Sequence, residues 1–115
     1  MFEFEKLEVY SEIRKLNAEL INLLKSKNTI DYFIKDQIFR ASMSIALNIA
    51  EGAGRYTKND KKHFYIIARG SLNESIAVLH SLLDLKFINE LEYSGFYEKY
   101  TKISKMLSGL INSQK

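Results

Sequence analysis

No cysteine occurs anywhere in the 115 residues, so disulfides and thiolate metal sites are excluded and the fold must stand on packing alone. The absence fits a cytosolic protein without deciding the compartment. Proline is absent as well, and only five glycines appear. A chain without proline can run long helices with every backbone donor in place. The N-terminus, Met1-Phe2-Glu3-Phe4-Glu5, is acidic and lacks the apolar stretch of a signal peptide. The least charged stretch, Gln37 to Gly54, is interrupted by Arg40, Asn48 and Glu51 and is too short and too polar to span a bilayer. The expectation is a soluble, cytoplasmic protein with no membrane association.

Enzyme signatures are missing too. Gly52-Ala53-Gly54-Arg55 has two glycines of a dinucleotide loop but no third, and no strand precedes it. There is no Walker lysine motif and no Gly-x-Ser-x-Gly elbow. His63 and His80 stand seventeen positions apart on one expected helix, too far to share a metal. Glu51 and Glu74 would be an acid couple if a fold buried them together, but no histidine is patterned to complete a di-iron site with them. The sequence therefore indicates no catalytic residues, no metal and no cofactor.

What is present is helical period. The length suits one domain spanning residues 1–115, large enough to bury a core. The net charge of +3 and pI near 9 are mildly basic, which is compatible with an anionic partner but does not require one. Val9, Ile13, Leu16, Leu20 and Leu23 recur at spacings of four and three, giving a first helix with Glu8, Glu12, Lys15, Glu19 and Asn22 opposite. After Lys27-Asn28-Thr29, with Asn28 or Asp31 available as a cap, a second helix from about Asp31 to Ala53 carries two apolar arcs. Ile34, Ile38, Ala41, Ile45 and Ile49 form one, and Phe39, Met43, Ala46 and Ala50 the other. Its many small side chains allow a neighbouring helix close, and Gly52 and Gly54 mark its end. Thr57-Lys58-Asn59-Asp60 has the spacing of a capping box for a third helix, about Asn59 to Lys86, with Phe64, Ala68, Leu72, Val78, Leu79 and Leu82 on one side. A fourth, from about Glu92, shows Phe96, Tyr100, Ile103, Leu107 and Leu110, with Gly95 blurring its start. Short connections make neighbours antiparallel, so the fold class is an all-α, up-down-up-down four-helix bundle.

Gln37, Arg40, Ser44, Asn48, Glu51 and Arg55, three and four apart, form a single polar ribbon on the second helix. It is either a surface for a ligand or partner, or a structural network in which Gln37, Arg40, Asn48 and Glu51 meet groups such as Glu74, Ser71 and Arg69 on the third helix. Its apolar flanks favour the network, because buried polar groups must be paired.

The same residues carry a resemblance. Gln37-Ile38-Phe39-Arg40-Ala41-Ser42-Met43-Ser44-Ile45 and Asn48-Ile49-Ala50-Glu51-Gly52-Ala53-Gly54-Arg55 resemble the signature of the four-helix-bundle proteins encoded in intervening sequences of bacterial 23S rRNA genes. Phe64, Ala68-Arg69-Gly70-Ser71 with Glu74, and Met106-Leu107-Ser108-Gly109-Leu110-Ile111 extend the match in order along nearly the whole chain. Ala46 stands where many relatives have proline. The resemblance implies a ring-like homopentamer. It also implies kinship with the accessory variability determinant proteins of diversity-generating retroelements, which bind nucleic acid and a reverse transcriptase.

Two functions remain open. One is a nucleic-acid-binding oligomer that uses Arg55, Lys58, Lys61, Lys62 and Arg69, which face only one acid, Asp60. Tyr56 and Tyr65 lie among them as stacking candidates. Lys99, Lys102 and Lys105 on the fourth helix are expected to matter less. The other function is a module that docks a partner enzyme through helical faces. The two apolar arcs of the second helix, with Ile66 and Ile76 on the third, exceed what one bundle core covers, so self-association is expected.

Overall fold

The computed structural model describes all 115 residues. A short 3-10 turn, Glu3–Lys6, leads into four helices: α1 Glu8–Ser26, α2 Tyr32–Ala53, α3 Lys58–Asp84 and α4 Glu90–Asn112. No strand is present. Each helix packs on its neighbours in sequence, α4 closes back on α1, and the backbones of diagonal pairs stay apart. The result is a square bundle 45 Å long and 24 by 20 Å across. Ile13, Leu16, Leu20, Ile38, Ile45, Ile49, Leu72, Leu79, Leu82, Ile103 and Leu107 fill its centre. Each such side chain taken from water contributes roughly 1.5–3 kcal/mol, and this burial drives the assembly of the helices.

The helix ends differ from expectation in informative ways. Thr57 caps α3 by accepting from the Asp60 N–H at 3.1 Å, but the Asp60 carboxylate does not reach back, so only half of the expected box forms. A full box appears instead at α4, which starts at Glu90. Asn89 Oδ1 accepts from the Glu92 N–H at 2.8 Å, and Glu92 Oε1 accepts from the Asn89 N–H at 2.9 Å. That bond, with help from Lys27 at 2.9 Å, holds the Glu92 carboxyl below its ordinary range. Asp31 occupies the cap position of α2 without a side-chain bond. At the end of α3 the chain turns through Lys86 at φ 62°, with the Phe87 N–H bonded to Leu82 O at 2.9 Å. A lysine holds a left-handed position more often given to glycine. Gly54, by contrast, ends α2 at φ −85°, so its lack of a side chain is not what stops the helix.

Inside the apolar core sits a small polar cluster, with one residue from each helix. Ser42 Oγ donates to Asn17 Oδ1 at 2.5 Å, and the Tyr100 hydroxyl donates to Ser42 Oγ at 2.8 Å. Asn17 Nδ2 donates to Ser42 O at 3.3 Å. Ser75, wholly buried beside the same phenol, donates to Ser71 O at 2.9 Å. No buried side-chain nitrogen or oxygen is left without a partner. Burial pushes the Tyr100 hydroxyl up to about 12, with its bonds to Ser42 and Ser75 opposing the rise, so it stays a neutral donor at ordinary pH.

Ser42 is the hub of this cluster. Ser42→Ala should cost about 2–4 kcal/mol in urea unfolding, because Asn17 Oδ1 loses its donor and the Tyr100 hydroxyl the Ser42 acceptor, whereas Tyr100→Phe should cost only about 1–2 kcal/mol. A group that resists ionising when folded loses stability as pH rises. The parent should therefore weaken between the ordinary tyrosine value of 10.0 and about 12, and Tyr100→Phe should remove part of that fall.

Candidate nucleic-acid interface

Of the five cations picked from sequence, Arg55, Lys58, Lys61 and Lys62 lie at the α2–α3 corner and Arg69 about three turns along α3, and they do not share one face. Gly52, buried in the last turn of α2, lets α3 come so close that a Cβ there would lie 2.7 Å from Tyr65 Cε1 and 3.1 Å from Lys61 O. This contact fixes the tight connection from Gly54 to Thr57. Arg55 points to the α2 side of α3. Its guanidinium lies 4.6 Å from the Phe64 ring centroid and 3.3 Å from Glu51 Oε1. Lys61 turns inward and donates to Ala53 O at 2.8 Å, satisfying a carbonyl at the end of α2. It is part of the corner's structure.

Lys58, Lys62 and Arg69 stand at positions i, i+4 and i+11 of α3, which places them along one flank. Lys58 Nζ donates to Lys115 O, just beyond α4, at 3.3 Å, and the continuation of the flank through Asn73 and Ile76 borders α4. Further along the same seam, Asn73, Ile76, Tyr97, Thr101, Ser104 and Lys105 line a shallow groove. Lys62, Arg69 and Lys105 form no ion pair. Lys105, expected from sequence to matter less along with Lys99 and Lys102, differs from them: those two turn to α1, where they pair with Glu19 and with Glu12, the latter at 3.5 Å.

The tyrosines divide sharply. Tyr65 is 2% exposed, packed on Gly52, with its hydroxyl raised by burial, so it is no stacking platform. Tyr56 is fully exposed.

The polar ribbon is also corrected. Gln37, Arg40 and Glu51 are exposed, and Arg40 and Glu51 have no buried partner on α3. Two links do join the helices: at the surface Gln37 Nε2 donates to Glu74 Oε2 at 3.3 Å, and the half-buried Ser44 and Ser71 hydroxyls meet at 2.9 Å. Asn48, half-buried, bonds back to Ser44 O at 2.8 Å. Glu51 and Glu74 lie roughly 20 Å apart along the helix, since Glu74 meets Gln37 fourteen residues before Glu51, and so cannot form an acid couple. The inward polar groups of α2 and α3 are Ser42 and Ser75 instead, which look like ordinary small helix residues in the sequence. No three His, Asp or Glu side chains are placed to hold a metal ion. No helix is long and apolar enough to cross a membrane.

The model of the family described as 23S rRNA-intervening sequence protein matches residues 5–109. The chain belongs to that family. The fold agrees with a crystal structure of a protein of unknown function from the S23 ribosomal protein family of Bacteroides thetaiotaomicron. The two share 25% identity and a TM-score of 0.84 over 90% of this chain and 97% of that one. No curated protein matches the sequence. Neither the family description nor that relative indicates a catalytic activity.

Two substitutions separate the tight corner from the ribbon. Gly52→Ala should destabilise the subunit by about 1–3 kcal/mol through overpacking against Tyr65. Arg40→Ala should stay within about 0.5 kcal/mol, where a buried partner would have cost about 3–5 kcal/mol. Urea titrations at concentrations too low for self-association measure both.

Proposed function

We propose that this protein is a non-enzymatic, cytoplasmic nucleic-acid-binding oligomer of the intervening-sequence family. It holds RNA or DNA by its phosphates along the α3 flank. The observation that carries the reading is the line of Lys58, Lys62 and Arg69 with Lys105 across the seam, three of the four unpaired. Structural lysines tend to find acids, as Lys99 and Lys102 do; a row left without them suits an external anion. Arg55 adds a cation at the corner, and the start of α3 adds exposed backbone donors.

The assembly is a homopentameric ring, the state that the family resemblance implies. Support for self-association lies on the α2 surface, where Leu47 is 62% exposed and Phe33 75% exposed on the same ribbon as the unpaired Arg40. A ring repeats the cationic flank, so weak contacts on each subunit add through multivalency. The exposed Phe33 and Leu47 also support a second reading, in which this face of α2 docks a partner enzyme such as a reverse transcriptase.

Fluorescence anisotropy with labelled RNA and DNA tests the reading. Affinity should fall with salt at a log–log slope of roughly −0.7 to −0.9 per phosphate neutralised. Changing Lys58, Lys62 and Arg69 together to Glu should abolish binding with sedimentation unchanged, and Lys105→Glu alone should weaken it. Lys61 is spared because its charge caps α2. If the triple variant binds as the parent does at every salt concentration, the flank is only a solvated surface and the docking reading takes its place.

A further inference from the structure

Among the exposed groups that neither the core nor the α2 ribbon uses, Tyr56 stands apart. Its ring and hydroxyl make no hydrogen bond, no aromatic contact and no cation–π contact within the subunit, and the side chain is fully exposed. Yet the backbone beneath it is fixed on both sides. The Gly54 and Arg55 N–H groups bond to Glu51 O at 3.2 Å and Gly52 O at 3.1 Å, and Thr57 is tied into the α3 cap. Arg55 is held against Phe64 and Glu51. A large aromatic ring thus projects from a rigid four-residue corner, between Arg55 and Lys58, where the cationic flank of α3 begins.

We infer that this corner takes single-stranded nucleic acid, with one unpaired base stacked on the Tyr56 ring and the adjoining phosphates running onto Lys58 and Lys62. The inference rests on the phosphate-binding reading above and names its substrate class. Two physical facts favour single strands. A base inside a duplex has both faces covered by its neighbours, so a protruding ring reaches one only by unstacking it, at a few kcal/mol per step. In a single strand a face is free, and stacking is worth about 1–3 kcal/mol per base whatever the base identity. The rigid backbone also lowers the ordering cost, because little beyond the tyrosine's own rotamers is frozen on contact.

The test compares a short oligouridylate with a blunt RNA duplex of equal length, using the full chain and its Tyr56→Ala, Tyr56→Trp and Lys58/Lys62/Arg69→Glu variants. Tyr56→Ala should weaken oligouridylate binding roughly five- to hundredfold and leave the duplex and the sedimentation profile unchanged. The parent chain has no tryptophan, so Tyr56→Trp supplies a sole fluorophore. Its emission should be quenched by oligouridylate and not by the duplex. If Tyr56→Ala binds oligouridylate as the parent does, or loses both probes equally, the stacking inference is overturned. It is equally overturned if the variant changes the assembly state, since Tyr56 would then be covered by a second copy. These failures are separable from failure of the underlying reading. In the first case the charge-reversed variant still loses both probes; if the parent itself binds neither, the phosphate-binding reading fails with the inference.

Discussion

The close approach of α2 to α3 at Gly52 is the constraint from which the candidate site follows. With no side chain between them, the Gly52 backbone meets the Tyr65 ring directly, and Lys61 can bend inward to the end of α2. The connection is therefore short and fixed, Tyr65 is used up as packing, and Arg55 and Tyr56 are left on the outside. Lys58, Lys62 and Arg69 then fall on the flank of α3 that faces α4. Packing in this corner decides which of the aromatic and basic residues are available to a ligand.

A second, independent device sits mid-bundle. A purely apolar core lets helices slide by a turn at modest cost, because leucine and isoleucine contacts are interchangeable. The Asn17, Ser42 and Tyr100 bonds tie α1, α2 and α4 at one level, and Ser75 adds α3. Any shift of one helix along another would leave buried donors unmet. The cluster sets the register, which in turn places Lys105 of α4 beside Asn73 of α3.

The architecture was legible because it rests on periodicity: the four helices and their core faces follow from apolar residues at spacings of three and four. The family was legible from the Asn48-to-Arg55 string. The polar groups were harder to assign. Arg40 and Glu51 lie between two apolar arcs, and sequence alone suggests burial. α3 in fact meets that stripe only at Gln37 and Ser44 and leaves Arg40 and Glu51 exposed, while the buried polar group of α2 is Ser42, a small residue whose hydroxyl has no sequence signature of burial. Tyr56 and Tyr65 look equivalent on paper, and only the Gly52 contact separates them. The place of Lys105 is not legible in the sequence, because charge spacing gives the helix it sits on but not which neighbour it faces.

Under the proposed function, a nucleic acid tracks from the α2–α3 corner along the seam of α3 and α4 and avoids the acid-paired face of α1. Ultraviolet cross-linking of a thiouridine-substituted single-stranded RNA to the full chain, followed by peptide mass spectrometry, tests this most directly. Cross-links should fall on the segment from Arg55 to Arg69 and on the α4 peptide containing Lys105. Cross-links concentrated on α1, or on the exposed α2 ribbon around Arg40 and Leu47, would contradict the account.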